Sequence, residues 1–334
     1  TITATVDHVV TGNDLVITLS NGKEITIAVG ATSGTSAAFA IQSDDVYVDG
    51  DAYSVGISGT AGGNFESLVT TDTSTVTVVD TIDTTSVSLT AAPDLTEDGG
   101  NLTYTATLGS PVLAGDDPVV VSFTDLNGAA RSITITGGNA TGTYVATIPE
   151  ALYEDVYSEA AADITIATNV SVAGGNFEAL GTPSVGTIAL TDSIDNTNAT
   201  LTSVGSGDED SGSITYTVTL NNAPQADQLF SITLSNGQSA TITVASGALT
   251  GAITFGWGAG AIAGTQALTG YPNSDAYSEA PVDISVSTFT ASGAGGNFEQ
   301  LTPINSSTPV TIADTITPTT ITLSDVNGAE GTSH

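Results

Sequence analysis

The sequence predicts an all-β fold in which immunoglobulin-like β-sandwich domains follow one another in an elongated tandem array. Apolar and polar residues alternate along many short segments, for example at 74–80, 132–137 and 163–168. This period of two is typical of strands with one buried face. β-Branched residues fill these segments and Gly and Asn separate them, as expected for strands and turns.

The same segments return along the chain, which indicates repeated domains. The pentapeptide GGNFE occurs at 62–66, 174–178 and 295–299. Around it, LTYTATL at 102–108 corresponds to ITYTVTL at 214–220. Repeats of this length have the size of whole domains and are too long for the units of a solenoid.

The repeats divide the chain into four segments. Residues 1–81 are predicted to form a domain that lacks its first strand, residues 82–193 a complete domain, and residues 194–315 a domain with an insertion between strands E and F. Residues 316–334 supply the first strand of a further, truncated domain. We therefore expect the chain to be cut from a longer array.

The complete domain shows the strand pattern most clearly. Its alternation predicts strands A to G at 85–90, 102–108, 118–124, 130–135, 142–148, 162–168 and 184–190. Seven short strands in about 110 residues are typical of an immunoglobulin-like sandwich. The absence of Cys from the chain and of Trp from strand C excludes the antibody type.

Charge excludes several classes of function. The chain has 36 acidic residues and two basic ones, Lys23 and Arg131, for a net charge of -34. Nucleic-acid binding is excluded because phosphate contacts need cationic groups, and contact with an anionic membrane surface is not expected. No apolar run approaches the roughly 20 residues of a membrane span. We expect a monomer whose partners are the neighbouring repeats of its own chain.

The acids are concentrated where neighbouring domains meet, because seven strands place the A–B and E–F loops beside the following linker. At the first linker they are Asp44, Asp45, Asp49, Asp51, Asp80 and Asp83. At the second they are Glu97, Asp98, Glu154, Asp155, Glu159, Asp192 and Asp195. At the third they are Asp208, Glu209, Asp210, Asp275, Glu279 and Asp314.

The GGNFE segment is predicted to lie at the opposite end of its own domain. Its glycines permit a tight reversal of the chain, and its Phe (Phe65, Phe177 or Phe298) is expected to plug the end of the core. Glu178 and Glu299 are expected to reach the linker that precedes their domain, with Glu66 as the first counterpart.

Such clusters of carboxylates repel one another unless a cation neutralises them. Ca²⁺ takes six to eight oxygen ligands in flexible geometry, whereas Mg²⁺ demands a tighter arrangement. We therefore predict that Ca²⁺ is the cofactor and that it fixes the angle between domains. The alternative is that the acids form a solvated surface that keeps the protein soluble.

The combination of GGNFE, VTVVDTIDTTSVSLTA at 76–91 and ITLSNG at 17–22 and 232–237, in tandem domains, resembles the extender repeats of giant bacterial RTX adhesins. The resemblance covers essentially the whole chain. It implies Ca²⁺-bound immunoglobulin-like domains that are exported by type I secretion and held at the outer membrane of a Gram-negative bacterium. It also implies an extracellular spacer that projects a ligand-binding tip for attachment and biofilm formation.

Carried over residue by residue, the resemblance implies Ca²⁺ ligation by the linker residues Asp80, Asp83, Asp192, Asp195 and Asp314. The third linker departs from the pattern, because Thr317 stands where the other two have their second Asp. The tip domains and the glycine-rich nonapeptide repeats of the family are absent from this sequence.

Two other functions are weighed against the spacer. The insertion in the third domain contains Trp257 and Tyr271, and an exposed pair of aromatic rings would suit a carbohydrate-binding module. Paired carboxylates can also hydrolyse glycosides, but these acids recur with the fold, whereas a catalytic site occurs once. His8 and His334 have no set of catalytic partners, so we do not expect an enzyme.

Overall fold

The computed structural model describes residues 1–261, 263–271, 275–325 and 330. Its contacts divide the chain into two compact units. Unit 1 comprises Thr1–Asp94, Asn101–Ile148 and Asp163–Ile188, and unit 2 comprises Leu95–Gly100, Pro149–Ala162 and Ala189–His334. Unit 1 therefore contains the first repeat and most of the second, while unit 2 contains the third repeat with two loops of the second.

The first repeat, in unit 1, forms two antiparallel layers. Its strands are β1 (Thr3–Thr5), β2 (Leu15–Leu19), β3 (Glu24–Ile27), β4 (Ser33–Thr35), β5 (Ala52–Ala61) and β6 (Thr73–Thr77). One sheet has the order β3-β2-β5-β6 and the other pairs β1 with β4. The alternating side chains Leu15, Ile17 and Leu19 of β2 are buried and pack with Ile25 and Ile27 of β3.

The second repeat contains more strands because several of them are interrupted. They are β7 (Thr84–Thr85), β8 (Val87–Ala92), β9 (Leu95–Thr96), β10 (Gly99–Leu108), β11 (Val119–Thr124), β12 (Ala130–Ile135), β13 (Thr141–Pro149), β14 (Ala162–Thr165), β15 (Thr168–Gly174), β16 (Ala179–Leu180), β17 (Ser184–Val185) and β18 (Thr187–Thr191). A 3-10 helix at Glu150–Leu152 follows β13 and is the one helix among the described residues.

Within unit 1, the second repeat has the two layers of a sandwich. One layer pairs β10 with β8 and β13, and β8 also pairs in parallel with β17. The other layer has the order β12-β11-β15. Every second residue of β10 is buried, from Leu102 to Leu108, while the intervening threonines are not, so burial of one face selects the strand and its register.

The third repeat, in unit 2, repeats this plan. Its strands are β19 (Asn196–Gly207), β20 (Ser211–Leu220), β21 (Gln228–Leu234), β22 (Ser239–Val244), β23 (Thr250–Gly258), β24 (Gln266–Ala267), β25 (Val282–Ile284), β26 (Val286–Ser292), β27 (Gln300–Asn305) and β28 (Val310–Ile312). One sheet has the order β24-β23-β20-β19-β27, another β22-β21-β26, and β25 pairs with β28. The core between the sheets includes Tyr216, Phe230 and Phe255.

The predicted fold class is confirmed, because the chain is built from tandem immunoglobulin-like β-sandwiches. Strand F differs in detail from the prediction at 162–168. It is split into β14 and β15, and β15 is the part that pairs with β11. The pairing shifts between Ser122 and Thr124, opposite Asn169, whose backbone lies in the left-handed region (φ 52°). Asn tolerates that conformation, and a bulge there ends the simple alternation.

Residues 316–325 belong to no strand, although a first strand was predicted in segment 316–334. A strand needs neighbours for its backbone hydrogen bonds, and no pairing joins this segment to another strand among the described residues. The remainder of the predicted segment lies outside the described residues, apart from Glu330.

A buried tyrosine at the same position of two repeats provides a test of the core. The hydroxyl group of Tyr104 donates a hydrogen bond to the carbonyl oxygen of Ile166 at 3.1 Å and accepts one from the amide of Leu126 at 3.2 Å. The hydroxyl group of Tyr216 is buried and has no hydrogen-bond partner in the described part of the chain.

We predict that Tyr104→Phe lowers the free energy of unfolding by about 1–3 kcal/mol, because it leaves a buried carbonyl group and a half-buried amide without their hydrogen bonds to Tyr104. Tyr216→Phe should be neutral or slightly stabilising, because it removes a buried hydroxyl group that bonds to nothing. Chemical denaturation of both variants measures the difference, and equal effects at the two positions would contradict it.

Candidate metal centre

Loops that precede strand F position the first acids in the same way in each repeat. The carboxylates of Asp45, Asp155 and Asp275 accept the backbone amide two residues later, at 2.8, 2.7 and 2.7 Å respectively. This is the local turn that Asp favours. These three predicted ligands therefore shape the loop, and one oxygen of each is already occupied.

A second recurring contact joins each loop to the linker that follows its repeat. The amide of Asp49 donates to Asp80 Oδ2 at 3.2 Å, and Glu159 donates to Asp192 Oδ2 at 3.2 Å. In the third repeat, Glu279 donates to Asp314 Oδ2 at 3.1 Å. The fold thus brings the acids of the loop to the acids of the linker, as the sequence predicts.

In unit 2, the side chains of Glu97, Glu159, Asp192 and Glu299 form a four-carboxylate cluster. One oxygen from each lies within 4.8 Å of the others. Backbone hydrogen bonds hold two of these acids in place, from Glu97 N to Thr191 O at 3.1 Å and from Glu299 N to Val156 O at 3.2 Å. Glu97 is only 6% exposed.

The crowding changes the acidity of these groups. Burial, together with the charges of Asp192 and Glu159, raises the pKa of Glu97 to about 7. A hydrogen bond with Asp195 and partial burial raise the pKa of Glu154 to about 7 as well. Without a cation, proton uptake by Glu97 and Glu154 therefore relieves part of the repulsion at this linker.

Several carboxylate oxygens at these places are buried and receive no hydrogen bond from any donor in the described residues. In the four-carboxylate cluster they are Glu97 Oε2, Asp192 Oδ1 and Glu299 Oε1. Neighbouring carboxylates can share a hydrogen bond only when one of them is protonated. A buried oxygen in this state is unfavourable, and its chemistry matches that of a ligand for a hard cation.

The first linker, in unit 1, carries a related arrangement. Glu178 Oε2 accepts the backbone amide of Asp83, and Asp44 accepts the hydroxyl group of Thr81. Glu178 Oε1 is buried without a donor among the described residues. The amide of Asp83 lowers the pKa of Glu178, but burial and the neighbouring Asp80 outweigh it and raise the pKa.

The matching bond in unit 2 runs from the amide of Asp195 to Glu299 Oε2. The prediction that Glu178 and Glu299 reach the preceding linker is consistent with these contacts.

The third linker, in unit 2, is built differently. The hydroxyl group of Thr315 donates to Glu209 Oε1 at 2.7 Å and to Asp210 Oδ2 at 3.2 Å. Glu209 is 2% exposed, and its Oε2 has no donor in the described residues, as is also true of Asp314 Oδ1. Asp208 accepts the amides of Asp210 and Ser211, both at 3.1 Å, and so stabilises its own turn.

The remaining predicted ligands, Asp51 and Asp98, are exposed. Asp98 accepts the hydroxyl group of Thr96 at 3.4 Å. Neither residue belongs to the four-carboxylate cluster.

Sequence reasoning did not anticipate the aromatic contacts beside the acids. The rings of Tyr47 and Phe177 lie 5.2 Å apart in unit 1, and those of Tyr157 and Phe298 lie 5.8 Å apart in unit 2. Each pair also forms an isolated backbone bridge. The Tyr hydroxyl groups donate to Pro111 O at 2.7 Å and to Ala223 O at 2.5 Å. The sequence does contain an indication of these contacts, because a Tyr occurs at the same position of this loop in every repeat.

Trp257 lies in β23 and not in the insertion that follows it, and with Tyr271 it does not form the exposed aromatic pair that a carbohydrate-binding module requires. Trp257 is 2% exposed, and its indole N–H donates to Asp208 O at 2.7 Å. A Cβ atom at Gly207 or Gly212 would overlap its ring, and Tyr271 packs against it at 5.7 Å. The carbohydrate alternative built on these residues is therefore wrong, because Trp257 is part of the core.

Because the pKa of Glu97 is raised, the stability of the folded protein in chelator should depend on pH. Unfolding returns Glu97 to its ordinary pKa of 4.5, whereas the folded value is about 7. Between these values the folded state holds a proton that the unfolded state releases, so stability should fall as the pH rises through this range. Thermal denaturation from about pH 5 to about pH 8 measures it.

The variant Glu97→Gln should flatten this pH dependence and raise the melting temperature above neutral pH. Glu24→Gln is the matched control, since Glu24 is an exposed carboxylate of β3. A pH profile of Glu97→Gln that overlays the parent's would contradict the assignment.

Two solved structures align with most of this chain, but only loosely. A tandem of titin domains I9–I11 aligns over 91% of this chain and 92% of its own length, with 10% identity and a TM-score of 0.17. Activated alpha-2-macroglobulin of Escherichia coli aligns over 89% of this chain and 30% of its own length, with 11% identity and a TM-score of 0.20. These TM-scores are too low for the two structures to support an argument. No curated protein matches the sequence.

A search of the described residues for a helix long and apolar enough to span a bilayer found none. The family model of the LapA domain matches residues 1–81, 83–193 and 195–315. Three consecutive matches fit the repeat region of a large cell-surface adhesin, and the chain belongs to the LapA domain family.

Proposed function

We propose that this chain is a calcium-rigidified extender of a bacterial surface adhesin, a structural spacer that projects a ligand-binding tip. The observation that carries the proposal is the set of buried carboxylate oxygens without a donor at the linkers. Such oxygens need a cation or a proton. Their recurrence after each repeat argues for one role repeated along the chain.

Calcium fits the donor set better than other common ions. The available ligands are carboxylate and hydroxyl oxygens, without Cys and with two His in the whole chain, so a zinc site is not supported. In unit 2 we propose that Glu97, Glu159, Asp192 and Glu299 hold the ion, with Asp155 close by. Flexible loops and several carboxylates suit the variable coordination of Ca²⁺.

An ion at this place would connect two domains. Glu97, Glu159 and Asp192 belong to the second repeat, whereas Glu299 belongs to the third. At the first linker, the backbone amide of Glu178 in the second repeat already donates to Val46 O of the first repeat at 3.1 Å. A cation shared by acids from both sides would resist bending at the linker, because bending would separate ligands from the ion.

The cellular role rests on the resemblance to RTX extender repeats and on membership of the LapA domain family. We propose export by type I secretion and anchoring at the outer membrane of a Gram-negative bacterium, in support of biofilm formation. The role is mechanical and not catalytic, since the acids recur with the fold. Removal of Ca²⁺ would then soften the spacer without disturbing a reaction.

The first test is metal binding by a variant of the four-carboxylate cluster. Calcium at about 100 times its Kd should stabilise the parent by about 2.7 kcal/mol per independent site. The double variant Glu97→Gln/Asp192→Asn should weaken calcium binding at this site by about tenfold or more, because ligand charge sets affinity. Isothermal titration calorimetry and the melting temperature in calcium measure both effects.

Glu24→Gln/Asp117→Asn is the matched control, because it removes the same two charges from exposed positions. If both double variants bind Ca²⁺ like the parent, the cluster is not the site. The acids would then be a solvated surface, and sodium chloride at equal ionic strength should stabilise the protein as well as Ca²⁺ does.

The second test is the mechanical effect itself. Small-angle X-ray scattering in millimolar Ca²⁺ should give one well-defined maximum dimension, and chelator should broaden the distribution of distances. The cluster variant should resemble the chelated parent even in Ca²⁺. Profiles that stay unchanged on chelation would refute rigidification while leaving metal binding to be judged by calorimetry.

A further inference from the structure

In the third repeat, the strand that follows one linker runs beside a strand that leads to the next linker. β19 pairs in parallel with β27 over six consecutive residues, from Asn196 opposite Gln300 to Leu201 opposite Asn305. The ladder continues with a hydrogen bond from the amide of Ser306 to Leu201 O at 2.9 Å. The two ends of the repeat are therefore joined by one continuous ladder, which we call the clamp.

Further bonds continue this connection beyond β27. Ser203 Oγ donates to Thr308 O at 2.7 Å and accepts the amide of Thr308 at 2.8 Å. Asp208 and Ala313 form an isolated parallel bridge, and the amide of Glu209 donates to Ala313 O at 2.9 Å. The segment that enters the repeat is thus bonded to the segment that leaves it at several places along its length.

The direction of the strands decides how the clamp responds to tension. A pull at the two linkers draws β19 toward its beginning and β27 toward its end, and these are opposite ends of a parallel pair. The hydrogen bonds between the strands are then loaded in shear and must break together. A pull that separated the strands from one end would break the bonds one after another and would need less force.

The second repeat has the same parallel arrangement, but its ladder is broken into short pieces. In unit 1, β7 pairs with β16 over two residues and β8 pairs with β17 over two more. In unit 2, β9 pairs with β18, again over two residues. None of these pieces has the length of the six-residue clamp in the third repeat.

One additional residue accounts for the first interruption. Thr85 lies opposite Leu180, whereas Ser88 lies opposite Ser184, so three residues of the later strand span a gap that two residues of the earlier strand span. The sequence shows its source, because GGNFEALGTP at 174–183 contains Gly181, which GGNFEQLTP at 295–303 lacks. An extra residue in one strand of a pair is a bulge, and it disrupts the ladder locally.

We propose that the repeats of this chain yield to tension in a fixed order, the second repeat before the third, because the clamp is continuous only in the third. The physiological use of this order rests on the proposed function, since a spacer that holds a tip carries tension along its linkers. Unfolding of the second repeat would lengthen the spacer and lower the tension while the third repeat keeps its fold. The clamp needs no ion, because none of the proposed calcium ligands lies in β19 or β27.

Single-molecule stretching of the whole chain, held by handles at its two ends, tests the order. The repeats matched at 83–193 and 195–315 differ by about ten residues, so unfolding of the third releases about 35 Å more chain than unfolding of the second. The first repeat, matched at 1–81, gives a clearly shorter step, and each step therefore identifies its repeat.

At constant force, the second repeat should unfold about ten times faster than the third, the factor that corresponds to the loss of about one hydrogen bond. The step of the second repeat should accordingly precede that of the third in most traces. Equal rates for the two repeats, or the reverse order, would overturn the proposal.

Moving the additional residue tests the cause of the order. A glycine inserted between Leu301 and Thr302 should make the third repeat unfold about as fast as the second, because it interrupts the clamp. Deletion of Gly181 should slow the unfolding of the second repeat under force. Either variant is decisive if the other fails to fold, and a folded variant that unfolds at the parent's rate would refute the proposal.

Ile242→Ala is the matched control for general stability. Ile242 is fully buried in β22, which belongs to a sheet that contains neither β19 nor β27. For a given loss of free energy in chemical denaturation, this variant should accelerate unfolding under force much less than the glycine insertion does. Equal acceleration would mean that general stability sets the order, and the proposal would be wrong.

Stretching in chelator separates this proposal from the proposed role of calcium. The order should persist there, because the clamp contains none of the proposed ligands. If scattering shows no effect of Ca²⁺ while the second repeat still unfolds first, the calcium proposal fails and the clamp stands. If Ca²⁺ rigidifies the linkers while both repeats unfold at the same rate, the clamp proposal fails and the calcium proposal stands.

Discussion

Repulsion between carboxylates at the linkers is the constraint on which the rest of this structure depends. The chain has 36 acids and two bases, and Arg131 pairs with Asp125 at 2.9 Å. The loops that carry the acids are nevertheless fixed by backbone hydrogen bonds that recur in every repeat. The fold thus holds like charges together, and only a proton or a cation can relieve them.

The first and second linkers combine two kinds of interaction with different dependence on solution conditions. The carboxylates respond to pH, salt and divalent cations. The Tyr–Phe contacts and the bridge between their backbones depend on burial and are largely insensitive to ions. The aromatic pair can therefore keep neighbouring domains in register while the acids remain unneutralised, so that the proposed calcium ion would meet ligands that are already close together.

The sequence predicts the strands and the acidic clusters well, because both follow from local patterns that repeat. Alternation places Tyr104 and Leu108 in the core, and domain topology brings Glu97, Asp192 and Glu299 together. The bulge opposite Asn169 could not be predicted, since the same alternation fits a strand with or without it. The Tyr–Phe contacts were missed for a related reason, because a Tyr between acids in a loop is typical of an exposed residue.

The packing of Trp257 between Gly207 and Gly212 has a consequence for the inheritance of the array. Repeats of similar sequence within one gene can recombine. A hybrid that takes its first strands from the second repeat and β23 from the third would have Leu95 at the position of Gly207. Its side chain would then occupy the space of the indole ring. Gly207 and Trp257 must therefore pass between arrays together, which excludes crossover points between these two positions.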